Sequence, residues 1–166
     1  MRKLWLIIPL LAVVLLVGCP TPQISGGNSS PIGDTPYIKE GYAIYGGTVD
    51  IDGLYPGWSG TIPLKIVNGE DRGRQLFISV RLPQADKTKE GYEPLPFKYL
   101  DWVTVTQPSV FVAVGQTVTV PIDLTMPKDA DYKGKQAEVR ILVEDTTQTG
   151  LVQIALEARW FITTAE

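Results

Sequence analysis

Apolar and polar residues alternate with a period of two along most of the chain beyond residue 60. Ile62, Leu64 and Ile66 alternate with Thr61, Pro63 and Lys65, the pattern of a strand with one face against a core and the other against solvent. Each such set predicts a half-buried β-strand. The alternation recurs in Leu76, Ile78, Val80 and Leu82; in Val110, Val112 and Val114; in Val118, Val120, Ile122 and Leu124; in Val139, Ile141 and Val143; and in Val152, Ile154, Leu156, Ala158 and Trp160.

Turn-forming residues separate these predicted strands. Glycine and its usual turn neighbours mark the breaks, and no segment carries an apolar stripe at helical spacing. The combination predicts an all-β chain, folded as an antiparallel β-sandwich of seven to nine strands. The turn signals are Tyr55-Pro56-Gly57, Asn68-Gly69, Val114-Gly115-Gln116, Lys133-Gly134-Lys135 and Thr149-Gly150.

The N-terminus has a different pattern. A short basic start, Met1-Arg2-Lys3, precedes an apolar run over residues 4–17 that ends at Leu16-Val17-Gly18-Cys19. The run has the length of a signal-peptide core and is shorter than the roughly 20 residues that span a bilayer. The segment resembles a bacterial lipoprotein signal peptide with its lipobox. The resemblance implies that residues 1–18 are removed and that Cys19 is lipidated, which places the protein on the cell membrane or outer membrane, facing the extracytoplasmic side.

Residues 20–36 are rich in proline, glycine and serine and contain few large apolar side chains. Such a composition cannot bury enough surface to offset its ordering entropy, so it predicts a tether with an average reach of about 20 to 25 Å. The predicted organisation is therefore a signal peptide over 1–18, lipidated Cys19 and a flexible tether over 19–37, and one sandwich domain over 38–166.

The order of landmarks in the sandwich region resembles a known group of domains. Residues 56–69 combine a Pro-Gly turn with a strand that ends at Asn68-Gly69, and Trp102 precedes the strand of residues 103–105. Residues 108–117 and 126–130 complete the pattern. The region is similar to the immunoglobulin-like modules of cell-envelope proteins, in the same broad sandwich family as major sperm protein. The resemblance implies a spacer, adhesive or assembly role, and it implies no enzymatic activity.

Composition excludes several kinds of chemistry. The chain has no histidine and a single cysteine, and its formal net charge is −3. Without histidine there is no serine-type triad and no ordinary zinc site, and without a basic tract a nucleic-acid partner is not expected. We therefore expect no catalytic residues, no resident metal and no cofactor.

Two pairs of carboxylates are candidates for a weak calcium site. Asp50 and Asp52 lie two residues apart on a predicted strand, so their side chains share a face. Asp129 and Asp131 stand in a predicted turn beside lysines. For both pairs the simpler interpretation is a set of solvated carboxylates at a strand end or turn.

The connection over residues 83–101 is unusually long for a compact domain. Its first half is charged and predicts a mobile tip, and its second half is rich in proline and aromatic residues. Aromatic side chains supply much contact area at low entropic cost. They predict a binding surface for an envelope protein or a polysaccharide; the alternative is that they cap the open end of the core. The candidate residues are Tyr55, Trp58, Tyr92, Phe97, Tyr99 and Trp102.

Sheet edges are the other candidate contact surfaces. Pro63 and Pro121 fall inside strand patterns, and because proline lacks an N–H it is confined to edges, strand starts or bulges. They predict protected edge strands. The long C-terminal strand over residues 151–164 has no proline, so it is the candidate for pairing with a partner strand.

Two functions from different classes remain. The first is a lipid-anchored immunoglobulin-like module with a structural or adhesive role in the cell envelope. It would be bound to the membrane through its lipid and to an envelope protein or polysaccharide through its surface. The alternative is an accessory subunit or weak carboxylate-based hydrolase acting on envelope glycans. Acidic residues clustered in a pocket near Trp58 or Trp102 would favour the alternative.

Overall fold

A computed structural model describes residues 21–26, 41–45, 47–147 and 155–166. The predicted signal peptide over 1–18, Cys19 and most of the predicted tether lie outside the described residues. Within them the chain forms strands and two short 3-10 helices, η1 (Ala85–Lys87) and η2 (Phe97–Trp102). The strands are β1 (Gln23–Gly26), β2 (Tyr42–Tyr45), β3 (Thr48–Leu54), β4 (Ser59–Asn68), β5 (Arg74–Arg81), β6 (Glu93–Pro94), β7 (Val103–Val105), β8 (Ser109–Val112), β9 (Thr117–Thr125), β10 (Gln136–Asp145) and β11 (Ala155–Thr164).

These strands form two sheets that pack face to face. The seven-stranded sheet has the order β1-β3-β11-β10-β5-β8, with β6 paired to β10 beside this path. The four-stranded sheet has the order β2-β4-β9-β7. The predicted immunoglobulin-like β-sandwich is confirmed, and its strands follow the predicted period of two.

The core lies between the inner faces of the two sheets. Ile62, Leu64 and Ile66 of β4 are buried, and the buried residues of β10 and β11 face them from the other sheet, among them Trp160 at 1% exposure. Each such aliphatic side chain contributes about 1.5–3 kcal/mol by leaving water. One predicted position differs: Val114 is 52% exposed, because β8 ends at Val112 and the turn at Gly115 takes the chain away from the core.

The strand count and the pairing differ from the prediction in part. The described residues contain eleven strands, because the short strands β1 and β6 carry no alternating pattern that a sequence shows. Two strand pairs are parallel, β3 with β11 and β6 with β10. The sandwich is therefore mixed and not purely antiparallel, although antiparallel pairs dominate.

The two prolines do not mark edge strands. Pro63 and Pro121 are cross-strand partners in β4 and β9, the two central strands of the four-stranded sheet. Met126 N–H donates to Trp58 O, and Asn68 N–H donates to Gln116 O. This register makes Pro63 and Pro121 a non-hydrogen-bonded pair, so neither nitrogen points at the other strand. Each points outward, just past the end of β2 or β7, so no N–H is missing from the paired residues of those two strands.

The C-terminal strand is not a free edge. β11 pairs with β3 on one side and with β10 on the other, so the prediction that it offers an edge to a partner strand is wrong. β1 lies inside the segment that the sequence predicts as a tether and pairs antiparallel with β3, Ile24 opposite Ile51. Regular structure therefore occurs before the predicted domain boundary at residue 38.

Candidate functional site

The long connection between β5 and β7 is folded along the sandwich. Its middle forms β6, which pairs with the start of β10, Glu93 opposite Ala137. Leu95 is fully buried, and its N–H donates to Glu138 O at 3.0 Å. The second half ends in η2, which leads directly into β7. The connection therefore has fixed attachment points over its whole second half.

The charged first half of the connection is also bonded to the seven-stranded sheet. Lys89 N–H donates to Glu138 Oε2 at 2.8 Å, and Arg140 Nη2 donates to Lys87 O at 2.7 Å. The sequence predicts a mobile tip here. The structure instead places this half against the outer face of β10, because that face carries the buried acceptor Glu138.

Glu138 is the centre of an ion network that the sequence analysis did not identify. Its side chain has no exposure and accepts bonds from Arg159 Nε and Nη2, both at 2.9 Å, and from Arg140 Nε at 3.2 Å. Burial alone would raise the pKa of Glu138, but the bonds from Arg159 and the Lys89 N–H outweigh it, and the pKa is lowered. The alternating pattern of β10 predicts that Glu138 faces solvent. It is buried because the connection between β5 and β7 covers it.

Tyr92 lies beside this network, on the outer face of the seven-stranded sheet. Its ring meets Phe161 edge-on, with 5.2 Å between ring centroids. Lys89 Nζ lies 4.9 Å from the Tyr92 centroid and 4.5 Å from the Phe161 centroid, within cation–π range. The same ammonium group is 3.7 Å from Asp50 Oδ1. Tyr92 thus helps hold the connection on the sheet, and Asp50 faces a lysine.

Tyr99 and Trp102 belong to the core. They are 8% and 3% exposed, with ring centroids 4.4 Å apart, and Tyr132 packs on both. The Tyr99 hydroxyl reaches the surface and donates to Asp131, and Lys98 Nζ lies 3.6 Å from the same carboxylate. The Tyr99 hydrogen bond, followed by the Lys98 charge, lowers the pKa of Asp131. These two aromatics cap the core, which is the alternative that the sequence left open.

Phe97 is the aromatic residue of η2 that faces solvent, with 80% of its surface exposed. Tyr55 and Trp58, both half-buried, belong to the turn between β3 and β4. On one side of the C-terminal end of β9, Trp58 O accepts a hydrogen bond from Met126 N–H. On the other side, Val103, which follows η2, pairs with Leu124 of β9. The turn over 55–58 and η2 therefore flank the same end of β9. We call the surface formed by residues 55–58, 97–102 and 126–132 the loop end.

Trp58 has a defined seat at the loop end. An added Cβ on Gly60 would lie 2.5 Å from Trp58 Cη2, so the indole ring rests on the Gly60 backbone. The ring also packs against the core cluster. The half-exposed indole ring therefore has a defined position.

An open groove lies next to the loop end. It has a volume of about 670 Å³, and neither Trp58 nor Trp102 is among its lining residues. Of its acids, Glu93 accepts a bond from the Tyr132 hydroxyl at 3.2 Å, and burial and Glu93 together raise the pKa of that hydroxyl. The lining includes Gly91, Tyr92, Glu93, Lys135, Gln136 and Glu166.

The described residues contain no group of three or more acidic, histidine or cysteine side chains that could hold a metal ion. Asp50 and Asp131, one from each predicted carboxylate pair, each lie within ion-pair distance of a lysine. Within the same part of the chain, no helix has the length and apolar character needed to cross a membrane.

No protein-family model matches this sequence, and no curated protein is significantly similar to it. Solved structures do resemble its fold. The PapD-like domain 7 of human CEP192 aligns with a TM-score of 0.51 and 12% identity, over 82% of this chain and 92% of that one.

Two bacterial chaperones resemble it to a similar degree. The class 5 fimbriae chaperone CfaA aligns with a TM-score of 0.50 and 20% identity, over 75% of this chain and 57% of that chain. The periplasmic chaperone SfaE aligns with a TM-score of 0.50 and 11% identity, over 76% and 59%. This chain thus spans somewhat more than half the length of these chaperones. The sandwich is of the PapD-like, immunoglobulin-like type.

Proposed function

We propose that the chain is a non-catalytic binding module of the cell envelope, held to a membrane by a lipid on Cys19 and engaging a protein partner through the loop end. The observation that carries this proposal is the exposure of the Phe97 side chain. A benzyl side chain that is 80% exposed stands on a 3-10 helix whose next aromatic residues, Tyr99 and Trp102, are buried in the core.

An exposed aromatic side chain on a helix whose other aromatic residues are anchored in the core is suited to binding. It loses little conformational entropy when a partner covers it, and aromatic anchors of this kind contribute much of the energy in protein interfaces. Trp58, seated on Gly60 at the same end, supplies a second such surface. The chaperones with the same fold support a protein-binding role for a sandwich of this type.

The partner proposal is tested by affinity purification from detergent-solubilised membranes. Phe97→Ala should lose the partner that the wild-type chain recovers, because the anchor is removed while the buried part of η2 stays. The matched control is Ile24→Ala, since Ile24 is also an exposed large apolar residue at 45% but lies on β1, outside the loop end. Equal recovery by wild type and Phe97→Ala would refute the loop end as the binding surface.

The anchor is tested separately by membrane fractionation. Cys19→Ala should release the chain from membranes that retain the wild type, because acyl chains supply the attachment. Mass spectrometry of the wild-type N-terminus should find the acyl groups on Cys19 and residues 1–18 absent. A Cys19→Ala chain that stays in the membrane with residues 1–18 intact would contradict the anchor.

A further inference from the structure

Among the described residues, β8 is an edge strand of the seven-stranded sheet. It pairs with β5 on one side, and no strand of the described residues pairs with its other side. Ile78 N–H donates to Pro108 O at 2.7 Å, so in this antiparallel register the even-numbered residues of β8 bond to β5. The N–H and C=O groups of Ser109 and Phe111 therefore point away from the sheet.

β8 has only four residues and follows a proline, and both features weaken an edge for strand addition. The edge nevertheless lacks charged side chains, inward-pointing charges and bulges, the other features that blunt exposed edges. Residues 107–117 contain no charged residue, and the proline at 108 precedes the strand. Large exposed apolar side chains gather here instead: Phe77 is 41% exposed, Phe111 59% and Val114 52%.

The two phenylalanines lie on the outer face of the sheet, beside the β8 edge. Phe77 on β5 pairs with Ser109, and Phe111 on β8 pairs with Gln75, so the two phenylalanines are diagonal neighbours on one face. The Phe111 ring also lies on Gly73, where an added Cβ would be 2.4 Å from its Cζ. The exposed ring therefore has a defined position.

We infer that β8 pairs antiparallel with β8 of a second copy of this chain, about a twofold axis at Phe111. A second copy fits because the strand is self-complementary. Phe111 would face its own symmetry mate in a hydrogen-bonded pair and Ser109 would face Ala113. Phe111 and its symmetry mate would be direct cross-strand neighbours, and the Phe77 side chain of each copy would lie diagonally beside them on the same face. Because the strand is uncharged, the pairing opposes no like charges.

Disulfide cross-linking between introduced cysteines tests this register directly. All variants carry Cys19→Ser, which leaves the introduced thiols as the only ones in the chain. Opposed residues of a hydrogen-bonded antiparallel pair have Cα atoms about 5.5 Å apart, within the range of a disulfide. A mixture of Ser109→Cys chains with Ala113→Cys chains should form disulfide-linked dimers under mild oxidation, and either variant alone should not.

Adding Phe111→Lys to both cysteine variants should abolish the cross-link, because two lysines would then face each other. Ile24→Lys is the matched control, with an exposed apolar residue changed on β1 at the opposite edge of the sheet, and should leave cross-linking unchanged. Equal cross-linking by the single variants would overturn the register. A disulfide from Ser109→Cys to another envelope protein, or no cross-link together with a monomer in sedimentation at every concentration, would overturn the second copy as the occupant. The loop-end proposal would stand in each case.

Discussion

Arg159 donates two hydrogen bonds to Glu138, from Nε and Nη2, both at 2.9 Å. The pair sits on the outer face of the seven-stranded sheet, where a glutamate would ordinarily be solvated, and the Glu138 carboxylate has no exposure. A buried carboxylate is tolerated only when it is paired and fully hydrogen-bonded. The connection over β10 is thus attached to the sheet by the same acceptor that it buries.

We predict that Glu138 makes stability depend on acidity. Its pKa is lowered in the folded chain, so the fold favours the carboxylate. Its contribution is complete above the ordinary glutamate pKa of about 4.3 and is lost as the pH falls through the lower folded value. The free energy of unfolding of wild type minus that of Glu138→Gln should therefore be largest near neutral pH and shrink below about pH 4. Urea titrations across this range measure it, and a constant difference would contradict the prediction.

We predict that Arg140 holds the charged half of the connection closed. Arg140→Ala removes the bond from Nη2 to Lys87 O and the ion pair with Glu138. Limited trypsin digestion should then cut faster after Lys87 and Lys89, because cleavage needs the backbone released from the sheet. Arg81→Ala is the control, since Arg81 is 60% exposed and its ion pair among the described residues, with Glu144, is long at 3.9 Å. Unchanged cleavage in Arg140→Ala would show that other contacts hold the loop.

Two aromatic residues of η2 should differ sharply in their effect on stability. Trp102 is 3% exposed and packs on Tyr99 and Tyr132, so Trp102→Ala should cost about 3–5 kcal/mol. Phe97→Ala should change the free energy of unfolding by less than about 0.5 kcal/mol, because its ring faces solvent. Denaturant unfolding of both variants measures the contrast. A comparable loss of unfolding free energy in the two variants would mean that the Phe97 ring is packed in the fold and not exposed to a partner.

Gly60→Ala should displace the Trp58 ring. The new methyl group would lie 2.5 Å from Cη2 and 2.7 Å from Cζ2, so the indole must move, at a cost of about 1–3 kcal/mol. Tryptophan fluorescence should shift to the red as the ring becomes more hydrated. Gly73→Ala is a matched control, because it displaces the Phe111 ring in the same way without touching a tryptophan. No difference between the two spectra would argue against the Trp58 seat.

Strand positions were predictable because a period of two is a local signal. The alternation around Ile62, Val120 and Ile141 predicts both the strand and its buried face, and all three residues are buried. Sheet order was not predictable in the same way. The parallel pairing of β3 with β11 joins residues about a hundred positions apart, and no local pattern encodes such a partner. The prolines were misassigned for the same reason, since only the register shows where their nitrogens point.

The candidate site was predictable in composition but not in arrangement. A long aromatic connection signals a specialised region, yet burial within it depends on irregular turns that have no periodicity. Tyr99 is buried and Phe97 exposed only two positions apart, because η2 turns one side to the core. Glu138 shows the converse case. Its strand was predicted correctly, but the connection bonded to it buries a side chain that the strand pattern places in solvent.

The pairing of β1 with β3 changes the geometry that a lipid on Cys19 would impose. Only four residue steps separate Cys19 from Gln23, the first residue of β1, so the attachment could reach at most about 14 Å. The β1 edge would then be held at the membrane. β8 lies five strands further along the same sheet, about 24 Å away at a strand spacing of about 4.8 Å. Two copies paired at β8 would carry their lipids at opposite ends of one continuous sheet, so the joined sheet would lie along the membrane for both lipids to insert.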